Sequence, residues 1–436
     1  MFRCTSLALP AGADIKRESV RPVAFREPAH EQEFDSSTLL YDAFVLRHER
    51  GSHLVFIGPP FFNLFPLFCS SKICGRPMAS TISNYYQRDR CSEVWIAKWN
   101  SETVELEFGF GSYRLALQAS ANDIYKGRRV LYTLSKNNEV RWIIDWIEFH
   151  NRLHGADAVL IYDNASSLYT GEELEQSLRK AFPRLEVNVV HWPYKYGPRG
   201  NPRDTGWDSD FCQAGAFQDA RFRFLGLASS VLNCDIDELV LSSREESIFE
   251  ATERRRGGCT MFTGQWISNV TAPNQASLHS GSHFRHSDFR YLERGASCPM
   301  KWCVVPRRCN VEAQWGTHTV FGKDVALCYS SGFSYRHFRG VSTNWKYERG
   351  RPEKFCADLH QPDDALDAAF ASPGMARVGE NSGRSLREMF RWIRVRGSGE
   401  RQLLRHFSGL GVRARAIGKR SWQKVLDFFQ RKPTIS

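Results

Sequence analysis

From Arg129 to Cys234 the apolar positions switch repeatedly between short unbroken runs and helical spacing, which predicts alternating strands and helices. Val130 to Leu134 reads as a strand. Asn137 and Asn138, with Glu139, then offer a cap and a first-turn acid for a helix. On that helix Trp142, Ile143, Trp146, Ile147, Phe149, His150 and Leu153 fall at helical spacing, and Gly155 stands where a C-terminal glycine stops it. The spacing gives His150 and Trp146 packing roles. Ala158 to Tyr162 is the next strand, Gly171 to Phe182 a helix with Leu174, Leu178 and Ala181 on one face, and Glu186 to Val190 the third strand. A Pro/Gly-rich loop from Pro193 to Gly206 leads to a helix from about Phe211 to Leu227 and a fourth strand, Ser230 to Cys234. Four strands alternating with helices imply an α/β, Rossmann-like domain with a mostly parallel central sheet and right-handed crossovers.

Upstream the rhythm differs. Tyr41 to Leu46, Leu54 to Ile57, Glu93 to Trp99 and Thr103 to Phe110 carry strand-like patterns between turn residues, so a β-rich N-terminal domain is expected behind a loosely ordered start. Trp95 and Trp99 are candidates for stacking on a sugar, although aromatics in strands usually serve the core. Beyond Gly350 apolar residues recur at helical spacing with arginines between them: Leu386, Phe390 and Ile393, then Leu403, Leu404 and Phe407, then Trp422, Val425, Leu426, Phe428 and Phe429. The expected division is 1–124 for the β-rich accessory domain, 125–348 for the α/β domain and 349–436 for a basic helical tail.

Composition sharpens this picture. With 42% hydrophobic and 25% charged residues the 436-residue chain belongs among ordinary globular proteins, long enough for two or three domains. The formal charge of +11 resides in the tail: Arg384 to Ser436 holds 14 Lys and Arg against Glu388, Glu400 and Asp427, and 14 − 3 = 11. The remainder is about neutral, which argues against nucleic acid as a partner of the body. Arg384 to Lys432 could instead lie on an anionic membrane, at about 1 kcal/mol per cation, or pack as a helical appendage. No stretch reaches the roughly 18 to 20 apolar residues that span a bilayer. The start also lacks a secretory pattern, so a cytoplasmic location is expected, with the inner face of a membrane as a peripheral site. The 12 cysteines include no C-x-x-C pair, and Cys69/Cys74 and Cys298/Cys303/Cys309 read as reduced thiols sooner than zinc ligands.

In a parallel sheet the chemistry gathers beyond the carboxyl ends of the strands. Those exits carry Leu134-Ser135-Lys136-Asn137, Asp163-Asn164-Ala165-Ser166, His191-Trp192 and Asp235-Ile236-Asp237-Glu238. In an extended segment Asp235 and Asp237 would point to one side while Ile236 turned into the core. Two hard carboxylates there suit Mg²⁺ or Mn²⁺, which can bridge a diphosphate and stabilise it as a leaving group. A bare D-x-D is otherwise a common solvated pair. Its place after a fourth alternating strand, between Val231-Leu232 and Leu239-Val240, is what marks it.

A longer series of residues is similar to the family 2-type and family 92-type (DUF23-like) GT-A glycosyltransferases. Asn137/Glu139, Asp145-Trp146-Ile147-Glu148-Phe149-His150, Gly155-Ala156 and Ile161 through Ser166 look like their opening, and Asn233 through Glu238 like their metal-binding segment. Lys301, Pro306, Gly316-Thr317-His318 and His337 through Gly340-Val341-Ser342 to Asn344-Trp345 also match, so the resemblance runs over roughly Arg129 to Tyr347. It implies a GT-A fold and transfer of a hexose from a nucleotide sugar, a UDP-sugar, to a glycan, polysaccharide or lipid-linked acceptor with inversion. By the same resemblance Thr133, Asn137, Glu139, Asp163 and Asn164 would line the nucleoside, Asp235 would touch ribose or metal, Asp237 the metal, and His318 would add a third ligand. Lys301 would neutralise a phosphate.

The pattern departs in two places. Lys136-Asn137-Asn138-Glu139 carries one residue more than the usual Lys-Asn-Glu, and no Glu-Asp pair follows the metal segment to supply a base. Asp288, Glu293 and Glu312 are the carboxylates open for that role, and the residues do not choose among them. Other classes fit less well. An Asp-x-Asp phosphatase wants the pair after the first strand, and a nucleotidyltransferase wants a Gly-rich phosphate loop that Thr133 to Asn138 lacks. A non-catalytic carbohydrate- or nucleic-acid-binding protein is separated from the enzyme by metal-dependent UDP binding.

Overall fold

A computed structural model describes residues 1–48, 51–200, 206–244, 246–270, 284–343 and 352–372. The basic stretch Arg384 to Lys432 and the pair Asn344-Trp345 lie outside the described residues. The chain divides into two compact units, one of Met1–Arg3, Asn122–Pro193 and the described residues from Phe224 onward, the other of Cys4–Ala121 and Tyr194–Arg223.

In the first unit the expected parallel strands form side by side in the order Glu186–His191, Ala158–Asp163, Arg129–Ser135, Ser230–Asn233. Ala158–Asp163 is buried at every position, as a strand covered on both faces must be, and its unbroken Ala-Val-Leu-Ile-Tyr run is the sequence form of that burial. The helix Val140–His154 lays Trp142, Ile143, Trp146, Ile147, Phe149 and Leu153 into the main core. Glu139 is its N-cap residue and makes no side-chain cap, so the expected Asn cap is not used. Asn137 adopts φ 56° instead, and its Oδ1 accepts from the Ser167 amide at 2.6 Å. Gly155 ends the helix at φ 70°, where its amide donates to Asn151 O at 2.9 Å. A side chain there meets no steric wall but is forced left-handed, so Gly155→Ala is expected to cost about 1 kcal/mol in denaturant melts.

The sheet then changes character. Ser230–Asn233 is flanked by the long antiparallel strand Tyr291–Val304, followed by Cys259–Ile267, Phe333–Phe338 and, at the far edge, Glu238–Ser242. His360–Pro362 pairs with the outer part of Tyr291–Val304. Asn233 and Glu238 are thus five residues apart in the chain but four strands apart in the sheet. Five residues reach at most ~17 Å, and four strand spacings on a flat sheet take ~19 Å. The strands therefore coil towards one another, and Cys234–Asp237 crosses their ends.

An edge strand needs its outer backbone groups covered. The helix Val140–His154 does this with two histidines one turn apart. His150 Nε2 accepts the Val240 amide at 3.2 Å while its Nδ1–H donates to Trp146 O at 2.8 Å, and His154 Nε2–H donates to Val240 O at 2.8 Å. Burial pushes both imidazoles down, His150 to about 3 and His154 to about 4. Each must be neutral when folded and is free to take a proton when unfolded. Their contribution is complete above about pH 6.5 and is lost as the pH falls towards 4. Melting temperature followed from pH 7 to 4 is expected to drop, and His150→Gln should flatten the curve.

The second unit is β-rich, as expected. Gln118–Ala119, Asp42–His48, Gly51–Gly58, Ser92–Ala97 and Asn84–Gln87 make a five-stranded sheet, and Gly111–Ala116, Thr103–Phe108, Lys72–Ile73 and Arg76–Pro77 a four-stranded one. Phe56, Phe61, Phe65 and Phe68 fill its core. Trp95 is buried and meets Phe222 edge-on at 5.0 Å, so it is a core residue. Residues 194–223 group with this unit, although their sequence position falls inside 125–348. Buried ion pairs, Arg223 to Asp42 at 2.7 Å and Arg21 to Asp208 at 2.6 Å, tie that stretch to the N-terminal segment. Its helix is Phe211–Asp219, continued by a π-helical turn, Ala220–Phe224.

Candidate active site

Cys234–Asp237 leaves the fourth strand as a turn, closed by the Glu238 amide on Asp235 O at 3.0 Å. The segment is not extended, which corrects the i, i+2 argument for a shared direction. Ile236 is buried as expected, its carbonyl held by His286 Nε2 at 2.9 Å. The two aspartates find separate partners. Lys301 donates to Asp235 at 2.6 Å, while His337 Nε2 lies 3.0 Å from Asp237.

Glu238 joins the two halves. It is buried, accepts from Lys301 at 3.0 Å and has His337 Nδ1 at 3.7 Å. These partners arrive through sheet register: His337 lies opposite Glu238, and Lys301 lies opposite Phe262 on a strand that also pairs with Ser230–Asn233. Burial raises the Glu238 carboxyl to about 7, with Lys301 pulling it down and Asp235 pushing it up. Burial works against the Lys301 charge, but Asp235 and Glu238 outweigh it and hold the ammonium above its usual range. A phosphate would have to compete with those carboxylates for Lys301.

Asp235 and Glu238 share the Lys301 ammonium, while Asp237 faces His337. Asp237, Glu238 and His337 bring one ligand atom each to within 4.8 Å of one another. Two hard oxygens and an imidazole nitrogen suit Mn²⁺ or Mg²⁺, and the unbalanced negative charge favours a cation. Another such group among the described residues, Cys4, Asp42 and Asp219, already has the Arg223 guanidinium 2.7 Å from Asp42. All 12 cysteines are free.

The remaining candidates fall at the expected strand ends. Ser135, Asp163 and His191 are register neighbours across three strands. Asp163 is buried and accepts from Ser166 Oγ at 2.5 Å, and burial raises its carboxyl. Asn164 donates to Trp192 O at 2.8 Å, Thr133 is buried beneath the edge, and Glu139 pairs with Arg141. His318 Nδ1 lies 3.1 Å from Met300 O, and the histidine drawn to Asp237 is His337. The sequence reading included His337 in the family-like series without a role. No local pattern marks it, because strand register brings it to Asp237 across 100 positions. Of the carboxylates weighed as bases, Glu293 pairs with Arg339 at 2.7 Å, Asp288 accepts the Arg285 amide at 2.7 Å, and Glu312 is exposed.

Residues 134–346 match the model of glycosyltransferase family 92. This stretch is a family 92 glycosyltransferase domain. The match begins in the strand Arg129–Ser135 and ends just beyond Phe333–Phe338, so the family 92 domain contains the turn, Lys301 and His337. No curated protein matches the chain. Among solved structures it is similar to the mannosyltransferase PcManGT from Pyrobaculum calidifontis in complex with GDP-Man and Mn²⁺, at 16% identity and TM-score 0.22 over 34% of this chain and 38% of that one. GalNAc-T7 with UDP, GalNAc and Mn²⁺ aligns at 8% identity and TM-score 0.26 over 52% and 45%, respectively. The apo WbbM bifunctional glycosyltransferase aligns at 12% identity and TM-score 0.24 over 47% and 35%. The chain spans less than half the length of each of these proteins.

Proposed function

We propose that the family 92 domain transfers a hexose from a UDP-sugar to a glycan or lipid-linked glycan acceptor, with inversion and with Mn²⁺ or Mg²⁺ bound. The observation that carries this reading is the convergence of Asp237, Glu238 and His337 at the exit of the fourth parallel strand. Asp237 and His337 would hold the ion, with Glu238 behind them. Asp235, with a side chain 36% exposed, is open to ribose or metal. When bound, a divalent ion withdraws charge from a departing diphosphate. Lys301 holds Asp235 and Glu238 in place, so the carboxylates need no rearrangement to receive a cation. Asp163, whose oxygens accept from the Ser166 hydroxyl and amide, would use its remaining acceptor capacity on a base or ribose hydroxyl. Thr133, Asn137, Glu139 and Asn164 shape the same edge. The 14 cations of Arg384–Ser436 suit an anionic membrane surface, where a lipid-linked acceptor would be found.

The test is donor hydrolysis by the purified full chain across nucleotide sugars, with and without Mn²⁺. One UDP-sugar is expected to be hydrolysed only with metal. Hydrolysis that persists in excess chelator, or no hydrolysis of any donor, counts against the reading.

A further inference from the structure

The imidazole of His337 lies flat against the indole of Trp266, with centroids 3.9 Å apart and planes 19° from parallel. Register puts them there, because Trp266 is the parallel-strand partner of His337. The same indole carries the Arg339 guanidinium 4.1 Å from its centroid, and Arg339 Nε donates to Glu293 at 2.7 Å. With His337 on Asp237 at 3.0 Å, a continuous series runs Asp237, His337, Trp266, Arg339, Glu293.

A histidine ring is not oriented by its backbone, since rotation about χ2 is broad. Its hydrogen bond to Asp237 fixes the direction of one nitrogen, and Nδ1 lies 3.7 Å from Glu238, but neither contact covers the face of the ring. The stacked indole covers that face and restrains the ring plane. The guanidinium adds a cation–π contact that restrains the indole in turn. Trp266 packs at the margin of the main core and is only half-buried, so core packing leaves one face of the indole to meet His337. We propose that Trp266, held by Arg339 and Glu293, is a positioning residue that sets the plane of the His337 imidazole and thereby the metal affinity of the Asp237–Glu238–His337 group. This rests on the metal-dependent reading above. Trp266 touches no reacting atom in this role; it acts through His337.

The measurement is Mn²⁺ binding to the purified full chain, read as free Mn²⁺ by electron paramagnetic resonance without donor or acceptor. Trp266→Leu, which keeps bulk but loses the aromatic face, is expected to weaken Mn²⁺ about 10- to 100-fold. Trp266→Phe should stay within about threefold of the wild type because the stack survives. Arg339→Gln, which leaves the indole in place, should fall between. In donor hydrolysis the Trp266→Leu rate should recover at saturating Mn²⁺, while the Mn²⁺ needed for half the maximal rate rises by the same factor. Melting temperatures identify the folded variants, and Arg339→Gln carries the test if Trp266→Leu does not fold. Wild-type affinity in the folded variants overturns the positioning role alone, because Asp237→Ala would still lose the ion. No Mn²⁺ binding by the wild type overturns the metal-dependent reading, and this inference with it.

Discussion

Asp237→Ala is expected to abolish Mn²⁺-dependent donor hydrolysis, lowering kcat/KM on the order of 10²–10³-fold or more while leaving the melting temperature nearly unchanged. The asymmetry follows from where Asp237 stands. Its side chain is small and 15% exposed, so removing it opens no large cavity. On the proposed reading it would be one of the two residues that hold the ion, and a loss of that size is roughly 3–4 kcal/mol of transition-state stabilisation. Asp237→Asn should lose nearly as much, because the amide keeps the shape but not the charge. His337→Ala should lose more than His318→Ala, since it is His337 that the sheet register brings to Asp237. A larger loss in His318→Ala would return the third ligand to His318.

The second large effect is on stability. Lys301→Met is expected to destabilise the family 92 domain by about 3–5 kcal/mol, a fall in melting temperature on the order of ten degrees. The ammonium is 1% exposed, and so is Glu238, which would be left buried with Asp235 and Asp237 as its near charges. Methionine fills the space, so the cost is the uncompensated carboxylate. That makes a sign prediction. Without Lys301 the Glu238 carboxyl, already raised to about 7 by burial, loses the group that pulls it down. A carboxyl raised above its unfolded value is destabilising once ionised, so the variant should gain more in melting temperature than the wild type as the pH falls from 8 towards 6. Adding Glu238→Gln to Lys301→Met should restore part of the loss. A variant indifferent to pH and to that second change would show that the ion pairs contribute little.

How much of this was legible beforehand depends on the range of the interaction. The parallel strands, the helix Val140–His154 with its glycine stop and the β-rich character of the N-terminal segment were readable, because each is a pattern among residues a few positions apart. Asp235, Asp237, Asp163 and Asn164 could be placed at strand exits because those exits follow from the same pattern. The extended form assumed for Asp235–Asp237 was not right, because Glu238 folds back on Asp235 and turns the segment.

The residues that make the site work came from elsewhere. Residues 194–223 join the N-terminal unit through buried ion pairs to Asp42 and Asp208's partner Arg21, which no periodicity announces. Lys301 reaches Asp235 across 66 positions and His337 reaches Asp237 across 100. By itself the sequence determined which segments are strands and helices and which polar residues stand at their ends, since backbone propensity and burial periodicity are local. Only the tertiary structure decided which carboxylates share Lys301, which histidine faces Asp237 and that Trp266 stacks on it, because the register of distant strands in a coiled sheet sets those contacts.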